Sequence, residues 1–264
     1  MAIETMRDQL VIPAREDAIR IVPLHVPDEV VATAPGVAPP PAPQLTYRGG
    51  PLMTAVQVFT LFWGPAWQAA QAQLADQLNS FFDFILTSRL IDQLKEYDRP
   101  GLSIGYGSRI GTATILRPSL RRTVSDSAVR HLLQQEIATN PALAQPTANT
   151  LYFVFLPTGV SLTQGGGRSC LTFCGYHDAI NGQIFYAVMP FPGCAGCLGG
   201  LSTLDALTST SSHELCEAIT DAIPGQGWYD DANGEIGDIC AWQTKKMGQY
   251  TIQLEWSNKA NKCV

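Results

Sequence analysis

Three short apolar runs constrain this chain most: VQVFTLFW at 56–63, TLYFVFLP at 150–157 and QIFYAVMP at 183–190. Each is rich in β-branched and aromatic residues and reads as a strand, the first as a buried one. TIQLEWS at 251–257 reads as a fourth. Helical patterns fall between them. Pro65 opens a helix expected over about 66–85, with Trp67, Ala70, Leu74, Leu78 and Phe81 at helical spacing. ILTSRLIDQLKEY continues helical over 85–97. Ser125 or Asp126 can cap a helix through about 138 that carries Val129, Leu132, Leu133 and Ile137 on one face. RPGLSIGYGSRIG is loop or strand. Strands and helices in alternation fit α/β or α+β, and α+β is the class expected: a mixed sheet with packed helices.

The 264 residues suffice for one large domain or two small ones. With 45% hydrophobic and 15% charged residues, a sizeable core can be built. The net charge of -6 and the absence of Lys/Arg runs argue against nucleic acid as a partner. No apolar stretch reaches the roughly 20 residues that span a bilayer. The start, MAIETMRDQLVIPARED, is charged and lacks an apolar signal core. Residues 32–43, ATAPGVAPPPAP, read as a semi-rigid Pro/Ala linker. The expected division is therefore a tail and linker at 1–44, which would serve as a propeptide over a cleft, and a domain at 45–264.

Six of the seven cysteines look pairable: Cys170, Cys174, Cys194, Cys197, Cys240 and Cys263. Four lie in a Gly/Pro-rich window over 170–197 that builds little core and gains from cross-links. Disulfides are expected, making the C-terminal half Cys-rich and loop-rich. A cysteine zinc site is the rival reading, since CLTFC and CAGC have short spacings. Cys216 is expected to be a small buried thiol. Disulfides favour an extracellular protein, and the missing signal keeps the cytoplasm as the alternative.

TLDALTSTSSHELCEAIT at 203–220 forms a helix by pattern, with Leu204, Leu207, Leu215 and Ile219 supplying apolar surface. His213 and Glu217, four apart, share a face, and Asp221 extends that stripe if the helix continues. Glu214 lies about 100° around from His213. This is the layout of a zincin helix, with two ligands one turn apart and a glutamate beside the first as general base, except that the second ligand is a carboxylate. Zinc accepts carboxylate oxygen. The bland alternative is a solvated polar helix face. A third ligand is expected from GWYDDANGEIGDIC at 227–240, where Glu235 and Asp238 follow His213 by 22 and 25 residues. This stretch fails the EF-hand template, with Tyr229 where the first aspartate belongs. Irregular calcium binding across 230–238 or an Asx-rich turn built on Asp230 and Asp231 remain open.

Six stretches in order resemble the phosphate-induced protein 1 / EXORDIUM family of plants and its bacterial relatives. LTYRGGPLM (45–53) resembles its Y-H-x-G-P-L-L motif, and VFTLFWG (58–64) the strand after it. CLTFCGYHD (170–178) resembles C-x3-C-G-F-H, and SHELCEAITD (212–221) resembles G-H-E-L-A-E-x-x-T-N-P. GWYDDANGEIGDIC resembles A-W-Y…E-I-A-D-x-C, and LEWSNKANKCV resembles W-S…K-A-C. The resemblance covers about 45–264. His177, His213, Glu214, Glu217, Glu235, Asp238, Cys170, Cys174, Cys240 and Cys263 fall on its motif positions. The family is similar to zincin metallopeptidases around HExxE, which implies a zincin-like fold and a zinc-dependent hydrolase. The chain departs from it at Asp221-Ala222, where Asn-Pro is common, so Asp221 is expected to support the site rather than ligate. It also departs at Cys216, where Ala is usual, and in showing no secretion signal.

With the resemblance, the expected zinc ligands are His213, Glu217 and one of Glu235 or Asp238, with His177 in reserve. His177, read as aimed into a cleft from a cysteine-stapled loop, has two rival roles: hydrogen-bond donor to a developing oxyanion, or a histidine satisfied by a backbone carbonyl. Glu214 is the expected general base, or else a structural carboxylate. His25 and His131 are bland. Trp228 and Tyr229 line a groove or anchor their loop. GGG at 165–167 reads as a flexible turn, and Ser212–His213 cannot form a triad pair because adjacent helical residues do not face each other. Three functions follow: a zinc metallopeptidase acting on peptides or proteins, a non-catalytic extracellular binding module with a structural metal, or a cytoplasmic small-molecule metalloenzyme. The oligomeric state is not legible.

Overall fold

The computed structural model describes residues 21–25 and 41–264. Most of the linker and the first twenty residues lie outside the described residues. Six strands form one mixed sheet: β1 (Ile21–Pro23), β2 (Gln57–Trp63), β3 (Ser108–Ile115), β4 (Thr150–Phe155), β5 (Phe173–Ile180) and β6 (Ile184–Met189). Their order is β1–β5–β6–β4–β2–β3. The pairs β6/β4, β4/β2 and β2/β3 are parallel, while β5 runs antiparallel to β6 and β1 antiparallel to β5. Five α-helices occur among the described residues: α1 (Ala72–Ile85), α2 (Arg89–Leu94), α3 (Asp126–Thr139), α4 (Ala195–Leu198) and α5 (Thr203–Thr220). The class is mixed α+β, as expected. Among the described residues no helix is long and apolar enough to cross a membrane.

The apolar runs are strands buried on both faces, and their period of two sorts them into two cores. Val58, Phe62, Phe153 and Phe155 face α1, α2 and α5. Phe59, Leu61, Trp63, Tyr152 and Val154 face α3. Rings interlock in the first core, with Phe82 and Phe153 centroids 4.5 Å apart and Phe62 and Phe155 5.2 Å apart. The cap of α3 is as read: Ser125 Oγ accepts the Ala128 N–H at 3.2 Å.

Several elements differ from the sequence reading. The helix expected over 66–85 is broken: Pro65–Gln68 is a 3-10 turn that seats Trp67 against Phe62 (5.0 Å), and α1 starts only at Ala72. The run at 85–97 is interrupted at Ser88, whose hydroxyl accepts the Leu90 N–H and caps α2 afresh. TIQLEWS is not one strand. Its first half lies in β8 (Tyr250–Gln253), which pairs with β7 (Thr244–Met247), and Trp256–Ser257 pairs instead with Lys262–Cys263. The segment FCGYHDAI is β5 of the main sheet, not a stapled loop. Its Gly, His and Asp hide it from an apolar-run search. Ile21–Pro23, read as part of the tail, adds an edge strand to β5, with Ile21 opposite Tyr176 and Val22 opposite Gly175.

Three disulfides join Cys170 to Cys194, Cys174 to Cys197 and Cys240 to Cys263. Cys216 is the buried free thiol. Such pairing belongs to an oxidising environment. The first two bonds tie the start of β5 to the short helix α4, and the third closes the chain's last turn onto the 227–240 loop.

Candidate metal centre

Helix α5 carries the centre. It starts at Ser202, whose Oγ accepts the Asp205 N–H, and ends as Asp221 leaves helical geometry. It packs between β5 and β6 on one side and β8 on the other. Every residue from Ala206 to Thr220 is buried, so the solvated polar face considered for this helix does not exist. Some of its buried hydroxyls are satisfied locally: Thr208 donates to the Thr251 carbonyl at 2.7 Å, and Ser212 Oγ donates to Ser209 O and accepts from the Gln253 N–H. Gly175 lets β5 lie close against α5, since a Cβ there would meet Thr210 Cγ2 at 2.7 Å.

Three elements converge. α5 supplies His213, Glu214 and Glu217, β5 supplies His177, and the 227–240 loop supplies Glu235 and Asp238. The first five of these in sequence order, His177 to Glu235, are at most 1% exposed. His177 Nδ1 stands 3.1 Å from Glu214 Oε2 and 3.4 Å from Glu217 Oε2. His213 Nε2 stands 2.8 Å from Glu217 Oε1 and 3.9 Å from Asp238 Oδ1. The 2.8 Å contact lacks hydrogen-bond alignment, so His213 Nε2 has no hydrogen-bond partner. Glu214 Oε1, Glu217 Oε2, both Glu235 oxygens and Asp238 Oδ1 also have none. Two residue sets are arranged to hold a cation: His213, Glu217 and Asp238, and His177, Glu214 and Glu217.

The outer nitrogen of each ring is held by an acceptor. His177 Nε2 lies 3.2 Å from the Asp221 carbonyl, which can only accept. His213 Nδ1 lies 3.0 Å from Gln253 Oε1. Gln253 is oriented by its own Nε2, which donates to Gly237 O at 2.8 Å, so its oxygen faces the ring. Each imidazole therefore donates outward and turns its other nitrogen toward carboxylates, the arrangement of metal-ligating histidines.

Electrostatics are severe. Burial works against a charged His177, but Glu214 and Glu217 outweigh it and hold its pKa at about 10. His213 is likewise pushed well up, by Glu217 above all, against burial. Burial raises Glu214 to about 7. Glu217 falls to about 2, because both rings overcome its burial. Glu235 and Asp238 are raised well above the carboxylate range, by burial and then by the Glu217 charge. Burial of this kind keeps a carboxyl group protonated until a cation pairs with it.

Several sequence readings resolve here. Asp238, rather than Glu235, joins His213 and Glu217. Glu235 sits on the other side, its Oε1 3.5 Å from His177 Nε2. His177 is not aimed into a cleft: it is 1% exposed, and both nitrogens are engaged inside the cluster. Asp221 accepts the N–H groups of Gly225, Gln226 and Gly227, shaping the loop that leaves the helix. Asp230 accepts from Gln44, Ala232 and Asn233 as an Asx turn, and Asp231 pairs with Arg48 at 2.6 Å. Trp228 and Tyr229 anchor the loop: they pair with Tyr47 and Thr46, and Trp228 Nε1 donates to Tyr97 O at 2.7 Å. GGG turns a hairpin, with Gly165 and Gly166 at positive φ. Sequence reading missed Gln253, which a search for ligand types does not include. No protein-family model matches the chain, and no curated protein matches it.

Proposed function

We propose that the chain is a zinc-dependent hydrolase of extracellular peptides or proteins, with a zincin-like disposition of its HExxE helix on a mixed sheet. One observation carries the reading: His213 Nε2 and several carboxylate oxygens without hydrogen-bond partners lie in a closed interior, beside a His177 Nδ1 that meets only carboxylates. Mixed imidazole and carboxylate donors suit zinc. His213, Glu217 and Asp238 are the ligands. A divalent ion held there would supply Lewis acidity and lower the pKa of a coordinated water. Glu214 would take the proton through Oε1, its Oε2 being held by His177. Gln253 Oε1 accepts from His213 Nδ1 and so leaves Nε2 free to serve as a ligand. Full burial favours a second reading, a binding module in which the same residues hold a structural ion, since a substrate bond reaches them only when a covering segment moves.

The test is metal content by plasma mass spectrometry on wild type, His213→Ala and Glu217→Ala, beside hydrolysis of a peptide library. The expected result is bound zinc in wild type, reduced in both variants at unchanged circular dichroism. Glu214→Gln should cut hydrolysis by about 10²-fold or more while the His213-bound ion stays. A wild type that takes up no zinc on incubation refutes the reading. Zinc without hydrolysis in wild type moves it to the binding module.

A further inference from the structure

Glu217 addresses two different histidines with its two oxygens. Oε1 lies 2.8 Å from His213 Nε2, and Oε2 lies 3.4 Å from His177 Nδ1. One ion at His213, Glu217 and Asp238 would engage His213 Nε2 and Asp238 Oδ1. It would leave Glu217 Oε2 without a partner in a closed interior. On that second side stand His177 Nδ1 and Glu214 Oε2, 3.1 Å apart. Two donors bound to one tetrahedral zinc at its usual bond lengths are about 3.3 Å apart. The separations of 3.1 and 3.4 Å around His177 Nδ1 match that edge. The outer nitrogen of His177 faces the Asp221 carbonyl, as the outer nitrogen of His213 faces Gln253. Both rings are thus prepared in the same way.

We infer that the centre is dinuclear, with a second divalent cation held by His177, Glu214 and Glu217, and that Glu217 is a carboxylate bridging the two ions. The donor set agrees. Glu214, Glu217, Glu235 and Asp238 place four carboxylates with almost no access to water around two imidazoles, more donors than one tetrahedral ion uses. A bridging carboxylate places two ions at roughly the 3.5–4 Å of two-metal hydrolytic sites. Glu214 binds through Oε2 only, so Oε1 stays available for a proton. The inference rests on the metal-dependent reading of the same site and adds its nuclearity and the ligand roles of His177 and Glu214.

The experiment uses the full chain, stripped with chelator and titrated with Mn(II) alone, read by bound-metal stoichiometry and by electron paramagnetic resonance. Two Mn(II) per chain with an exchange-coupled spectrum is the expected result. One Mn(II) per chain overturns the dinuclear centre and leaves the single-ion reading standing. None, with none for zinc either, overturns both. Two ions with the spectrum of isolated Mn(II) overturns the Glu217 bridge. His177→Ala should bind one ion and lose the coupling, at unchanged circular dichroism. If it keeps two coupled ions, the assigned ligands are wrong.

Discussion

At the scale of single residues, the centre depends on side chains that touch no ion. Gln253 holds the His213 ring by an acceptor whose direction is set by Gly237 O. Gln253→Met keeps the volume and removes the acceptor. Metal affinity measured by calorimetric titration should fall about 10–100-fold with the fold intact. An unchanged affinity removes this role from Gln253. Asp205 works at the other end of α5, where it accepts from Ser202, Lys246 and Thr251. Its burial opposes ionisation, but these partners prevail and lower its pKa from 3.8 to about 2. A depressed carboxylate stabilises the fold above its unfolded pKa and loses that contribution as pH falls toward the folded one. Asp205→Asn should therefore lower Tm at neutral pH, and the gap from wild type should close between about pH 4 and pH 2. A gap constant over that window contradicts the assignment. The side chain is partly exposed, so the effect is modest.

At the scale of elements, the site is a question of how closely three pieces of backbone approach. Gly237 lies flat on His213: a Cβ there would sit 2.8–2.9 Å from the ring atoms. Its backbone is ordinary right-handed helical, φ -80°, so no strain attends a substitution beyond that clash. Gly237→Ala should leave circular dichroism unchanged and weaken metal binding about tenfold or more by turning the ring. Equal affinity in the variant shows that the loop gives way instead. The helix α5 was legible because Leu204, Leu207, Leu215 and Ile219 give it an apolar surface along 203–220. Its environment was not. The Ser and Thr residues along 208–212 are buried, with Thr208 donating to a carbonyl on β8 and Ser212 to one on its own helix. Strand β5 was missed for the same reason. Its odd positions, Gly175, His177 and Ala179, face a polar helix, so no apolar run marks it.

At the scale of the whole molecule, the first and last described segments are secured differently. Cys240–Cys263 closes 23 residues of sequence separation and fastens the last strand to the loop that carries Glu235 and Asp238. Loop-closure entropy assigns such a link about 3 kcal/mol. The Cys240→Ser, Cys263→Ser double variant should lose roughly that stability in urea and bind metal more weakly. A loss near zero means the loop is held by packing alone. The first described segment lies on β5: Ile21 pairs with Tyr176, next to His177, Val22 is buried on the Cys174 and Cys197 cluster, and Trp242 Nε1 donates to Pro23 O at 2.9 Å. Deleting residues 1–44 should lower Tm by exposing that edge. If the segment acts as a propeptide, the same deletion raises hydrolysis. An unchanged rate leaves β1 a structural strand only.

Composition, apolar period and cap residues by themselves determined the α+β class, three of the six sheet strands, the helix with His213 and Glu217, and the cysteines free to pair. These are local properties, set within one turn or one strand. The sequence also marked every candidate ligand by type. Only the tertiary structure decided which carboxylate meets which histidine: Asp238 with His213, Glu214 with His177, and Glu217 between them. It also decided that Gln253 orients one ring and the Asp221 carbonyl the other. Apart from His213 and Glu217, four apart on one helix, those pairings join residues 25 to 44 positions apart, and their geometry is fixed by how closely β5, α5 and the 227–240 loop pack. No spacing rule along the chain encodes that distance.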